Sequence, residues 1–107
     1  MDEVAAGPRA RLDVPAVEGR LLVRLSGELD VASLPDVEPG VDRLLGLPAQ
    51  PVCIDAADLA FLDSSGVAVL IRIANHFGTV ELVHAAPIVR RIVEALGLSD
   101  HLGLVRS

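Results

Sequence analysis

Apolar and polar residues alternate in the first third of the chain, a pattern typical of half-buried β-strands. The alternation is clearest over residues 20–26, where Leu21, Val23 and Leu25 share one face. A weaker edge strand is predicted over residues 11–17, and glycines bound the second segment on both sides. The two segments are therefore predicted to pair as a β-hairpin.

The period changes to that of a helix over residues 30–47, where the apolar positions 37, 41, 44 and 45 recur at helical spacing. Ser33 is a candidate N-cap for this helix. The dipeptide Pro39-Gly40 interrupts the pattern. A proline beyond the first turn costs about 3 kcal/mol and a glycine about 1 kcal/mol. We therefore expect the regular helix to begin near Pro39, or to be kinked there.

The middle of the chain is its most apolar part. Residues 51–55 form a short apolar run without alternation, which predicts a strand covered on both faces, and residues 56–63 are predicted to form a loop. Residues 64–77 read as a helix that is apolar nearly all round, with Gly78 as its terminator. This helix is expected to be central to the fold.

The remaining elements complete a repeating order of strands and helices. A strand is predicted over residues 79–84, and a last helix opens at Pro87 and closes at Gly97. Residues 101–105 are expected to add a short strand or a final turn. The order β-β-α-β-α-β-α requires right-handed crossovers. It predicts an α/β fold with a mixed sheet of four to five strands and three to four helices packed on it.

Length and composition limit the fold to one domain and exclude several functions. The chain has 107 residues, a net charge of −6, two phenylalanines and no Trp or Tyr. Nucleic acid binding is not expected, because it needs basic patches and stacking aromatics. The longest apolar stretch, residues 67–71, is too short to insert in a membrane. Residues 1–10 are predicted to form a flexible leader, residues 11–107 a single domain, and the protein to be cytoplasmic.

The segment 59–67 carries the most specific local chemistry. Asp63 is placed to cap the helix that follows, and Ser64 and Ser65 occupy its first turn, where side chains lie near solvent. Gly66 allows another backbone to approach closely. The positive end of a helix favours an anion, so a phosphate on Ser64 is expected to be held there by free N–H groups. An ordinary Asp-Ser cap, present only for helix stability, explains the same residues.

Three blocks of sequence resemble one family. Residues 61–67 read Phe-Leu-Asp-Ser-Ser-Gly-Val, residues 26–30 read Ser-Gly-Glu-Leu-Asp, and residues 86–98 read Ala-Pro-Ile-Val-Arg-Arg-Ile-Val-Glu-Ala-Leu-Gly-Leu. Together, in this order and spacing, they resemble the STAS family and its stand-alone anti-sigma factor antagonists. The resemblance covers residues 12–105, and implies a STAS-like fold.

The resemblance implies a partner-switching function. In the family, an anti-sigma factor that is also a serine kinase phosphorylates the serine that matches Ser64. The unphosphorylated antagonist binds the anti-sigma factor, which frees a sigma factor for transcription, and a phosphatase resets the phosphorylated form. The partner-binding residues implied are Asp30, Asp63, Ser65 and Gly66. The resemblance does not decide between a monomer and a weak homodimer. The chain departs from the family at Pro39-Gly40, where similar sequences have an uninterrupted helix.

Other chemistries have weaker support. Asp55, Asp58 and Asp63 form a loose carboxylate group, but no histidine lies nearby at ligand spacing, so no metal is expected. A hydrolase that uses Ser64 would need a paired base, and both the Gly-x-Ser-x-Gly and the Walker patterns are absent. The chain is therefore not expected to be an enzyme or to carry a cofactor. The alternative function is a constitutive STAS interaction subunit of a transporter or signalling complex, without a phosphate cycle.

Overall fold

Strands and helices alternate in the computed structural model, which describes residues 9–16 and 19–105. In chain order they are β1 (Ala10–Asp13), β2 (Leu21–Leu29), α1 (Leu34–Leu45), β3 (Val52–Leu62), α2 (Ser64–Phe77), β4 (Val80–Val83) and α3 (Pro87–Ala95). Residues 1–8 of the predicted leader lie outside the described residues. Its last two residues, Arg9 and Ala10, belong to the folded domain, because Ala10 is buried in β1.

The four strands form one sheet in the order β1-β2-β3-β4. β1 and β2 are antiparallel, as the predicted hairpin requires, and β2, β3 and β4 are parallel. The predicted mixed sheet with helices packed on it is therefore confirmed. Residues 101–105, predicted as a short strand or a final turn, form a turn and one parallel bridge between Leu82 and Leu104.

The core lies on one face of this sheet. Val23, Ile54 and Leu82 face each other across three strands and are fully buried. Because side chains alternate along a strand, Arg24 and Asp55 point to the opposite face. There they form an ion pair at 3.8 Å and remain partly exposed. The prediction that residues 51–55 are covered on both faces is thus wrong at Asp55.

β3 is twice as long as predicted. Residues 56–63 were expected to form a loop, yet the strand continues through Leu62 beside the lengthened β2. Two register shifts, each with one extra residue in β3, keep the strands paired, and Leu59 and Leu62 are buried. The polar residues of this segment suggest a loop. The strand that pairs with the segment lies about thirty positions earlier in the chain, and a local sequence pattern does not reveal so distant a pairing.

The helix α1 starts earlier than predicted. It begins at Leu34 and runs through Pro39, so the expectation of a start near that proline is wrong. Val37, Val41 and Leu44 are all buried on its inner face. Each fully buried aliphatic side chain contributes about 1.5–3 kcal/mol, which together exceeds the cost of the internal proline.

The remaining helices follow the predicted bounds. α2 spans the predicted residues and ends at Gly78, whose φ is +80°. α3 begins at Pro87 as predicted and ends shortly before Gly97. Within the part of the chain described, no helix has the length and apolar character needed to cross a membrane.

Candidate functional site

The ends of two neighbouring strands bring the predicted site residues together. β2 and β3 are parallel, and their last residues, Leu29 and Leu62, are paired in the sheet. Asp30 and Asp63 each follow directly after one of these strands, so both lie at the same edge. The carboxyl edge of parallel strands is where α/β folds commonly build binding sites.

Asp63 caps α2, as the sequence predicted. Its Oδ1 accepts hydrogen bonds from the backbone N–H groups of Ser65 at 2.8 Å and Gly66 at 3.1 Å. Its Oδ2 accepts a third bond from the N–H of Val31 at 3.2 Å. One carboxylate therefore joins the first turn of α2 to the loop between β2 and α1.

These bonds keep the Asp63 carboxylate ionised. Partial loss of solvent by itself raises the pKa of Asp63, but the N–H groups of Gly66, Val31 and Ser65 stabilise the anion more strongly. The pKa of Asp63 therefore lies below its ordinary value. At neutral pH a fixed negative charge stands next to Ser64 in the chain.

Ser64 is the first residue of α2 and is exposed, and Ser65 is half-buried. The expectation of free N–H groups at this helix end is wrong for Ser65 and Gly66, whose N–H groups are bonded to the Asp63 side chain. The N–H of Val67 donates to the Asp63 carbonyl at 2.9 Å, as the first bond within the helix. Two of the donors next to Ser64 are therefore already bonded to a carboxylate.

Asp30 is held from two sides. Its Oδ1 accepts a hydrogen bond from the N–H of Ser33 at 3.0 Å, and its Oδ2 accepts one from the Arg9 guanidinium at 3.3 Å. Its side chain keeps 16% of its accessible surface. Asp30 thus presents only a small part of its carboxylate to solvent.

Ser33 occupies the N-cap position of α1, as predicted, but its side chain stabilises the Asp30 loop and does not bond to the helix. Its side chain makes no capping bond, and the residue is fully buried. The hydroxyl donates to the carbonyl of Glu28 at 2.6 Å and accepts from the N–H of Asp30 at 3.0 Å. The reciprocal bonds with Asp30, three positions earlier, are a side-chain turn whose Asp-x-x-Ser spacing is visible in the sequence.

Gly66 is buried, and it packs against its own domain. A Cβ at this position would lie 2.3 Å from the carbonyl oxygen of Leu29 and 2.9 Å from the Cβ of Leu62. The close approach predicted for this glycine is therefore made by the end of β2. Its burial removes Gly66 from the surface that a partner can touch.

Two exposed apolar side chains near Ser64 were missed by the sequence reading. Val31 is 67% exposed and Phe61 is 41% exposed. Val31 is joined to Asp63 by its N–H, and Phe61 lies three residues before Ser64. We call the set Asp30, Val31, Phe61, Asp63, Ser64 and Ser65 the Ser64 surface. Exposed apolar residues among charges are typical of sites that bind proteins.

A groove of about 420 Å³ lies between β1 and α1, and none of its lining residues belongs to the Ser64 surface. Among the described residues, Asp55, Asp58 and Asp63 are not brought together, since no cluster of three or more His, Cys, Asp or Glu side chains could hold a metal ion.

A family model and several solved structures match this fold. The family model of the STAS domain matches residues 11–107. No curated protein matches this sequence. An anti-sigma factor antagonist from Mycobacterium paratuberculosis is similar in structure, with a TM-score of 0.81 and 23% identity, over 97% of this chain and 92% of that chain.

Two further structures show the same fold. The anti-sigma factor antagonist SpoIIAA in its unphosphorylated form has a TM-score of 0.69 and 19% identity, over 91% of this chain and 90% of that chain. The Bacillus cell fate determinant SpoIIAA in the phosphorylated form has a TM-score of 0.61 and 18% identity, over 92% of both chains. At these identities the likeness shows the fold, and with the family model it identifies the domain. The chain belongs to the STAS domain family.

Proposed function

We propose that this protein is an anti-sigma factor antagonist, controlled by phosphate on Ser64. The single observation that carries the proposal is that Ser64 is an exposed residue on the first turn of α2, beside the ionised Asp63. Solved structures of similar fold bear the name of anti-sigma factor antagonist, and one is a phosphorylated form. These likenesses support the proposal together with the geometry.

The unphosphorylated protein binds an anti-sigma factor through the Ser64 surface. Val31 and Phe61 supply apolar area, and Asp30, Asp63 and Ser65 supply polar contacts at its rim. Buried apolar anchors within a polar rim carry most of the energy of protein interfaces. Sequestering the anti-sigma factor in this way frees a sigma factor for transcription.

The phosphate cycle uses Ser64 only as an acceptor. The kinase activity of the anti-sigma factor transfers the γ-phosphoryl group of ATP to the Ser64 oxygen, which releases ADP and a proton. A phosphatase hydrolyses the phosphoserine to serine and inorganic phosphate. The protein itself catalyses neither step, and the proposal places the cycle in the cytoplasm.

Added charge releases the partner. A phosphoserine carries about 1.5 to 2 negative charges at neutral pH. The nearby N–H groups of α2 are bonded to Asp63, so this charge projects toward the partner next to an existing anion. A hundredfold loss of affinity needs about 2.7 kcal/mol, which repulsion and desolvation at an interface readily supply.

The test is phosphorylation in a defined mixture. The protein is incubated with its cognate anti-sigma factor kinase, ATP and magnesium, and the phosphopeptide is mapped by mass spectrometry. We expect phosphate on Ser64, none on Ser64→Ala, and unchanged incorporation on the control Thr79→Ala, at an exposed hydroxyl-bearing residue outside the Ser64 surface. Incorporation that persists in Ser64→Ala would contradict the site. Stable binding that ATP does not alter would favour the constitutive interaction subunit.

A further inference from the structure

Arg9 attaches the start of the domain to the loop that carries Asp30. Its backbone N–H donates to Oδ2 of Asp36 at 2.9 Å, and its carbonyl accepts from the N–H of Glu28 at 2.9 Å. Its guanidinium donates to Oε1 of Glu28 at 3.1 Å and to Oδ2 of Asp30 at 3.3 Å. Both the backbone and the side chain of Arg9 thus bind the segment from Glu28 to Asp36.

The backbone of β2 leaves a space that the backbone of Arg9 occupies. Gly27 has a φ of +88°, and a Cβ there would lie 2.1 Å from the Arg9 carbonyl oxygen. Because no side chain fits at position 27, β2 leaves room for this one carbonyl. The position of Arg9 is therefore specified by the backbone, and does not depend on an exposed ion pair alone.

The guanidinium completes the support of the Asp30 carboxylate. The N–H of Ser33 holds one oxygen of Asp30, and Arg9 holds the other. Arg9 thus orients Asp30. The N–H of the next residue in the chain, Val31, is bonded to Asp63, which caps α2.

We propose that Arg9 is a positioning residue of the Ser64 surface, which orders Asp30 and the loop after β2 for partner binding. This inference rests on the proposed function, since it assigns a role within the same surface. A surface that is ordered before binding loses less conformational entropy when the partner docks. The side chain of Arg9 is 52% exposed, so it lies at the edge of the surface that it orders.

The loop can be tested without a partner. Arg9→Ala removes the guanidinium and retains the backbone bonds, and Arg11→Ala is the matched control, because Arg11 pairs only with Asp13, at 3.7 Å, among the described residues. Hydrogen exchange measured by NMR should be at least about threefold faster at the amides of Val31 and Ser33 in Arg9→Ala alone. Unchanged exchange at both amides would overturn the proposal, whatever happens to binding.

Partner binding is the second measurement. With the cognate anti-sigma factor kinase, we expect Arg9→Ala to bind about tenfold more weakly, Arg11→Ala to bind as the wild type, and Arg9→Lys to lie between them. Rescue by lysine separates positioning from a general loss of structure, and Arg9→Gln, which keeps most of the stem, serves if Arg9→Ala does not fold. Equal binding of Arg9→Ala and wild type would overturn the role. A wild type that does not bind would defeat the proposed function, while the exchange data would still decide whether Arg9 orders the loop.

Discussion

The N–H of Val31 donates a hydrogen bond to Oδ2 of Asp63 at 3.2 Å, across the two ends of neighbouring parallel strands. The other oxygen of the same carboxylate caps α2, which begins at Ser64. Asp63 is therefore shared between the loop after β2 and the helix that bears the candidate phosphoserine. A charge placed on Ser64 acts next to a group that both elements need.

A negative charge at position 64 should affect binding, whereas one in the core should affect folding. Ser64→Asp places a carboxylate at an exposed helix start, where it is tolerated, and should weaken anti-sigma factor binding about tenfold or more. Val69→Asp buries an unpaired charge at a position that is 2% exposed and should unfold the domain. Circular dichroism and calorimetric titration check the pair. Loss of structure in both variants would show that Ser64 has only a structural role at the start of α2.

The charge of Asp63 should make stability depend on pH in acid. Its pKa in the folded protein lies below the ordinary value of 3.8, so its contribution is complete above that value and is lost as pH falls through the lower, folded pKa. Asp63→Asn keeps a capping oxygen but not the charge. Urea unfolding should show the wild type more stable than Asp63→Asn at pH 7, with the difference shrinking below about pH 4. A difference that stays constant with pH would contradict the assignment.

Two helical glycines should respond in opposite directions to alanine. Gly66→Ala places a methyl group against the immobile carbonyl of Leu29, and should destabilise the protein by about 2–3 kcal/mol. Gly40→Ala has its tightest contact, at 3.3 Å, with the end of the flexible Leu12 side chain, and gains up to about 1 kcal/mol of helix propensity. Urea denaturation measures both. Equal effects at the two positions would show that the close contact at Gly66 is not what requires glycine.

The exposed apolar residues of the Ser64 surface should matter for binding and not for stability. Val31→Ser and Phe61→Ser should each weaken anti-sigma factor binding about tenfold, because apolar anchors dominate protein interfaces. The control is Leu96→Ser, at a residue that is 55% exposed at the end of α3. Thermal unfolding should be nearly unchanged in all three. Equal binding by all three variants would place the interface elsewhere.

Local signals in the sequence were sufficient for α2 and its cap. Asp63 precedes the helix, Gly78 ends it, and the predicted bounds agree with the structure. Caps and glycine terminators act within one helical turn, so the residues involved are close together in the sequence and can be recognised there. The same local signals assign Asp30 and Asp63 to separate elements, but they do not predict the distance between the two residues.

Pairings between distant residues were beyond the reach of the local pattern. The second half of β3 looked like a loop because its partner, the end of β2, is far away in the chain. Ser33 is the N-cap residue of α1, as predicted, but its side chain bonds to Glu28 and Asp30 and not to the helix. Arg9 was assigned to a flexible leader, although four hydrogen bonds hold it to the end of β2 and the segment that follows.

The sequence alone determined the order of elements, the mixed sheet, the family and the serine at the start of α2, because periodicity, caps and short motifs act between near neighbours. Only the tertiary structure decided that Gly66 is buried, that Asp63 also accepts a hydrogen bond from the N–H of Val31, and that Val31 and Phe61 are exposed near Ser64. These features arise where two parallel strands end side by side. Parallel strands are joined by a crossover, so the residues at their ends are far apart in the sequence and no local pattern links them.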